Sequence, residues 1–166
     1  MEQALLFSYY GVILKCDTHI WGYNLRILCV DYILFFRILA GMSQLLLVAI
    51  GGALGAATRY LVAGWVQEAV GSLFPWGTVA VNALGSFLLG FVLQASLAGG
   101  VSTEYRLLLA VGFLGAFTTF STFAYESLEL MRAGLGPQAL LYVGVNLIGG
   151  LLLVALGMAG FDAWRG

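Results

Sequence analysis

The stretch Gly112-Phe113-Leu114-Gly115-Ala116-Phe117-Thr118-Thr119-Phe120-Ser121-Thr122-Phe123 sets four hydroxyls among aromatic rings in the middle of an apolar run. In lipid a hydroxyl can satisfy itself on its own helix carbonyls, which accounts for one or two of them and less readily for four. Gly112 and Gly115, followed by β-branched threonines, weaken a helix. The chain is therefore expected to break there at mid-membrane and to turn carbonyls inward, where protein, water or an ion must satisfy them. Phe120 and Phe123 are three residues apart and share a helix face, with Glu126 one step further along it. Such a stripe usually means packing, but a phenyl ring also has an electron-poor edge that can flank a small anion without trapping it as a full charge would. A conducting site must release what it binds.

Other polar residues stand in equally apolar surroundings. Asn82 lies in Gly77-Thr78-Val79-Ala80-Val81-Asn82-Ala83-Leu84-Gly85 and offers two amide hydrogens, either to a neighbouring helix or to an anion. Tyr142 and Asn146 are four apart, with Gly150 continuing their face, and together they could supply a polar track. Arg59 and Glu126 are ionisable groups within or near the membrane, where charge is costly unless it faces protein, water or an ion partner. Cys16 and Cys29 have neither metal nor redox spacing, and His19 lacks enough neighbouring ligands to form a site.

Long helices in lipid must position these groups. Hydrophobic residues make up 61% of the 166 positions and charged residues 9%, too little polar surface to cover a water-soluble globule. Stretches without Asp, Glu, Lys or Arg run from Arg37 to Arg59, Glu68 to Glu104, Arg106 to Glu126 and Arg132 to Asp162. A crossing helix needs roughly 20 apolar residues, and the expected spans are Ser43–Ala63, Gly77–Ala98, Leu107–Leu130 and Gln138–Gly160. A barrel would alternate apolar and polar residues, and Leu45-Leu46-Leu47-Val48-Ala49-Ile50 does not. The fold class expected is an all-α integral membrane protein whose 23 glycines allow close helix approach. A net charge of −1 gives no basic surface for nucleic acid.

Residues 1–41 differ in character, mixing Lys15, Asp17, Arg26, Asp31 and Arg37 among short apolar runs. They lack both a span of adequate length and the basic start and small-residue cleavage pattern of a signal peptide. Met42, just before Ser43-Gln44, is the expected biological start, with residues 1–41 an upstream translation artefact or a weakly ordered extension and residues 42–166 the four-helix membrane domain. Peptides from before Met42 in native cells would reject that expectation. With four spans, Arg106 and Arg165 share one side and Arg132 takes the other, so the orientation signal is nearly balanced. Such a chain can insert both ways and pair head to tail.

The runs Gly51-Gly52-x-x-Gly55-Ala56-x-x-Arg59-Tyr60, Gly77-Thr78-x-x-Val81-Asn82-x-x-Gly85-Ser86-Phe87 and Gly112-Phe113-x-Gly115-x-x-Thr118-Thr119-Phe120-Ser121-Thr122-Phe123 resemble, in order and spacing, the CrcB/Fluc family of fluoride channels. The resemblance covers Met42 to the C-terminus, and its most specific element is the third run. It implies an antiparallel, dual-topology homodimer in the bacterial inner membrane, with two fluoride pores and a central sodium ion holding the broken third helices together. Carried over by position, Phe120 and Phe123 would be pore-lining rings, Asn82 the amide donor beside them, and Ser121 and Thr122 hydroxyls of the motif. Gly115 and Thr118 would offer backbone carbonyls to sodium, while Arg59 would stand near the dimer vestibule and Glu126 near a pore entrance. Tyr142 would be a pore-side residue. Asn146 replaces a residue that is often serine or threonine in the family, and Ala116 stands where glycine is frequent.

The function expected is export of cytoplasmic fluoride down its electrochemical gradient, without catalysis. One rival is a small four-span, dual-topology transporter of cations or drugs, which needs a carboxylate deep in a span. Span one has none between Ser43 and Ala63, and Glu126 lies toward the end of span three. Another rival is a non-transporting scaffold, which leaves Asn82 and the Phe120–Phe123 pair unexplained. An intramembrane hydrolase lacks a Ser/His pair or paired intramembrane aspartates.

Overall fold

The computed structural model describes the backbone of residues 8–9, 12–13 and 25–166, and side chains from Gly41 onward. Two compact units are present, Met1–Ser43 and Gln44–Gly166. In the first, β1 (Ser8–Tyr9) and β2 (Val12–Ile13) pair antiparallel, Ser8 opposite Ile13. Cys16 and His19, and the side chain of Cys29, lie outside the described residues. The regular structure of the second unit is helical throughout, as long apolar runs without alternation require.

Four helical stretches are long and apolar enough to cross a membrane: Gly41–Val70, Trp76–Leu97, Thr103–Arg132 and Gly136–Arg165. The first belongs to α1 (Leu25–Val70) and the second is α2 (Trp76–Leu97). The third contains α3 (Thr103–Arg106), a wider π-helical segment at Leu107–Leu114, α4 (Gly115–Phe117) and α5 (Phe120–Arg132). The fourth contains α6 (Gly136–Gly144), a π-helical segment at Val145–Gly149 and α7 (Gly150–Arg165).

Helix α1 runs past the expected end at Ala63 because nothing breaks it before Gly71, whose φ of 61° suits glycine. Gly99 and Gly134 end the second and third spans in the same left-handed conformation. The connectors are short, so successive spans run antiparallel. At one end the Arg165 guanidinium donates to Ala98 O at 3.2 Å, at the carbonyl end of α2, and Gln94 donates to Asp162 at 2.9 Å.

Small residues set how the spans meet. A Cβ on Gly51 would overlap the carbonyl oxygen of Leu108, one on Gly55 that of Phe113, and one on Gly112 would lie 2.8 Å from Val48 O. The first and third spans therefore touch backbone to backbone. A second close seam joins α2 to α7, where a Cβ on Gly90 would strike Val154 O and one on Gly157 would strike Phe87 O. Between α2, α5 and α6 lies the core cluster of Val79, Phe123, Leu130, Ala139 and Tyr142, with Phe74 packed against it. Large apolar side chains such as Leu45, Trp65, Leu151 and Leu152 point outward, as a hydrocarbon solvent allows.

Candidate functional site

Helical backbone stops at Phe117 and resumes at Phe120. Thr118 (φ −83°, ψ 158°) and Thr119 (φ −146°, ψ 118°) are both extended. Two β-branched residues tolerate that conformation well. Gly85 on α2 makes room for it, since a Cβ there would overlap Thr118 Cγ2.

An extended pair forfeits helical hydrogen bonds, and side chains replace them. Thr119 N–H donates to Asn82 Oδ1 at 2.8 Å, and Asn82 Nδ2 donates back to Thr119 O at 3.1 Å. A backbone N–H can only donate and a carbonyl can only accept, so these two bonds fix which end of the amide is oxygen. Asn82 Nδ2 also donates to Asn146 Oδ1 at 2.9 Å, and Asn146 Nδ2 donates to Tyr142 O at 3.0 Å. The N-cap of α5 is Thr119, whose Oγ1 accepts from Thr122 N at 3.2 Å and lies 3.0 Å from Thr122 Oγ1.

Beside these groups, Tyr142 O–H donates to Glu126 Oε2 at 2.6 Å. The ring of Tyr142 is wholly buried, 5.5 Å from Phe123 on one side and 5.5 Å from Phe74, edge-on, on another. Phe123 in turn lies 5.5 Å from Phe120, with the rings tilted at 58°. The two rings differ sharply in environment, Phe123 being 7% exposed and Phe120 73%. Glu126 lines a cleft of about 490 Å³ between the end of α1, the start of α2 and α5, shared with Gln67, Thr78 and Glu129.

The structure thus joins Asn82, Asn146, Tyr142, Glu126, Phe123 and Phe120 in one connected set of contacts that branches at Tyr142. Ser121 and Thr122 are exposed on the other side of α5, with Thr122 tied to its own N-cap. Arg59 is half-buried on α1 and is not part of the cleft wall, and among the described residues the carboxylate of Glu126 meets a phenol and not a cation. Two residues at the site lie outside the sequence-based set. Thr119 supplies both backbone bonds to Asn82, and its place before Phe120 as an N-cap threonine was a readable signal. Thr78 is buried and lines the cleft, one helical turn before Asn82, a spacing that puts both on one face.

The break also bears on cation binding. The amides that would ordinarily bond the carbonyls of Gly115 and Thr118 belong to Thr119 and Thr122, and both are committed elsewhere, to Asn82 Oδ1 and Thr119 Oγ1. Hard cations take such oxygens, so these two carbonyls are of a kind that could hold one. Gly115 is exposed on the surface of the chain, which leaves its backbone open to a further partner.

A family model described as CrcB-like protein, Camphor Resistance (CrcB), matches residues 46–158. Proteins from two strains of Thermus thermophilus, each named fluoride-specific ion channel FluC, are 55% and 53% identical to the chain over 117 and 116 residues. Those matches cover 70% of this chain and 92% and 93% of the relatives. A protein of the same name from Methanocaldococcus jannaschii is 48% identical over 116 residues, or 70% of this chain and 92% of its own length.

Proposed function

The chain belongs to the CrcB-like protein family, and on that premise we propose that it is a fluoride-selective channel of the membrane, exporting cytoplasmic fluoride down its electrochemical gradient. The observation that carries the reading is the amide of Asn82 set against the extended Thr118–Thr119 pair, with the Phe123–Phe120 rings and the Tyr142–Glu126 bond in file beside it.

Fluoride is small and holds its water tightly, so a path for it must offer replacement donors and then let go. Amide hydrogens of Asn82 and Asn146, the Tyr142 hydroxyl and the ring edges of Phe120 and Phe123 are donors of that graded kind. An arriving anion competes with Asn146 Oδ1 for an amide hydrogen of Asn82, while the two Thr119 bonds keep the amide in place. No Lys or Arg occurs in residues 76–105, 107–131 or 133–164 to hold the ion too firmly. Ser121 and Thr122 lie off this file within one chain, and their contribution would come from a surface shared with a second copy.

That second copy is part of the reading. Phe120 and Gly115 both stand exposed, and a two-fold axis beside them would cover the ring and double the carbonyls of Gly115 and Thr118 into a four-oxygen sodium site. Near balance of positive charge at the two ends of the spans supports an antiparallel, dual-topology homodimer, with Arg59 near its vestibule and Glu126 at a pore entrance. Bound sodium would supply positive charge and a brace between copies; holding the third spans' carbonyls apart is the work of Asn82 and Thr119. In cells the function lowers fluoride toxicity, because hydrogen fluoride enters across an acidified membrane, dissociates and leaves as the ion.

The test is flux from liposomes holding purified protein. Fluoride is expected to leave far faster than chloride, and equal chloride passage would defeat the proposal.

A further inference from the structure

Gln67, near the end of α1, has no role in the pathway set out above, yet it binds more of the backbone around it than any neighbouring side chain. Its Nε2 donates to Ser72 O and, at 3.2 Å, to Phe74 O. Its Oε1 accepts from Gly77 N at 3.2 Å, and its own carbonyl accepts from Gly71 N at 3.0 Å. Backbone partners at both ends of the amide fix its orientation, as they do for Asn82. A fifth contact tightens the same turn: Gly77 packs against Ala63 O so closely that a Cβ would overlap it.

One residue therefore ties the connector between the first two spans to α1 from Gly71 to Gly77. That connector carries Phe74, whose ring meets Tyr142 edge-on, and it opens directly into Thr78 on the cleft wall. Tyr142 is held on its remaining sides by Phe123 and by its bond to Glu126. Gln67 and Glu126 line the same cleft.

We propose that Gln67 is a positioning residue for ion passage: by fixing the turn 71–77 it seats Phe74 on the Tyr142 ring and so aims the phenol at Glu126, where the cleft meets the file of polar groups. The inference rests on the fluoride-channel reading and adds to it a residue that never touches the ion. Leu73 and Pro75, the part of the cleft wall that lies in the connector, flank Phe74, and a loop holds a ring in place only as well as its own backbone is held.

The experiment is a double-mutant cycle on the full chain in liposomes, with fluoride efflux per protein as the readout. Gln67→Leu keeps the length and removes the side-chain bonds, and efflux is expected to fall about tenfold, the size of a coupling between residues in direct contact. Phe74→Ala is expected to cause a similar fall, and adding Gln67→Leu to it should then change efflux by less than about twofold, because the ring that Gln67 positions is gone. Unchanged efflux in Gln67→Leu overturns the proposal, and so do equal fractional losses with and without Phe74, which would mark a general loss of stability. Should Gln67→Leu fail to fold, Gln67→Glu retains the acceptor for Gly77 N–H and sets a carboxylate oxygen against Ser72 O and Phe74 O in place of the two donors; a fall in efflux that shrinks to less than about twofold when Phe74→Ala is already present supports the proposal, and unchanged efflux, or an equal fall with and without Phe74, overturns it. Wild-type liposomes run alongside separate the two claims, since wild type that passes no fluoride refutes the channel itself.

Discussion

Replacing Asn82 tests how the extended pair in the third span is held. Asn82→Ala removes three hydrogen bonds, of 2.8, 3.1 and 2.9 Å, and leaves both the N–H and the C=O of Thr119 without their partner. Thr119 is 7% exposed, so water has little access to either group. An orphaned buried donor or acceptor costs about 1–3 kcal/mol, and two of them give a loss of about 2–6 kcal/mol. Asn82→Asp keeps one of the three bonds, because a carboxylate has the same shape and still accepts from Thr119 N–H. It sets an oxygen where the amide hydrogens met Thr119 O and Asn146 Oδ1, and it places negative charge on the anion's route. That opposition of oxygens and the charge withdrawn from water outweigh the one bond kept, so Asp is expected to be no more stable than Ala, and both are expected to abolish most fluoride efflux. Denaturant titration of the purified protein in detergent, followed by circular dichroism, measures the first; liposome efflux measures the second. A stability loss in Asn82→Ala below about 0.5 kcal/mol, well under the cost of even one orphaned group, would show that Thr119 finds other partners, and the account of the break would be wrong.

Phe120→Ile should fold normally and lower fluoride efflux, since the ring is mostly outside the chain's own packing; unchanged efflux would remove that ring from the pathway. Phe123→Ala, which empties a space beside Tyr142, should cost about 3–5 kcal/mol in the same titration. Gly157→Ala drives a methyl into Phe87 O, part α2 and α7 must yield, and destabilisation of about 1–3 kcal/mol or more is expected; a neutral result would mean the seam is looser than described. Exchange of sodium for a large organic cation should lower efflux or the dimer fraction seen by size-exclusion chromatography, and no response in either would count against the Gly115–Thr118 carbonyls as its ligands.

Much of the architecture is readable from residue types alone. Long uncharged runs announce four crossings, and glycines such as Gly51, Gly90 and Gly157 announce contacts that admit no side chain. Span ends were less legible. Ala63 is the expected boundary by span length, but the one glycine that follows costs a helix only about 1 kcal/mol, and the turn waits for Gly71. The weak point at Thr118–Thr119 could be inferred from β-branching after glycine. Its repair could not, because Asn82 is 37 residues away and its partners are backbone groups with no signature in side-chain identity. The bond between Tyr142 and Glu126 was hidden for a similar reason, each residue having been read along its own helix. The π-helical segments at Leu107–Leu114 and Val145–Gly149 have no distinguishing composition.

Starting α5 afresh at Phe120 has an electrical result. Its 13 residues align their peptide dipoles, and their sum amounts to roughly half a positive elementary charge at the amino end. Had the third span continued unbroken, that pole would sit out in the headgroups near Thr103, screened by salt. Set instead inside the span, it favours negative charge without offering a point charge, a property that substitution of any single side chain leaves almost intact.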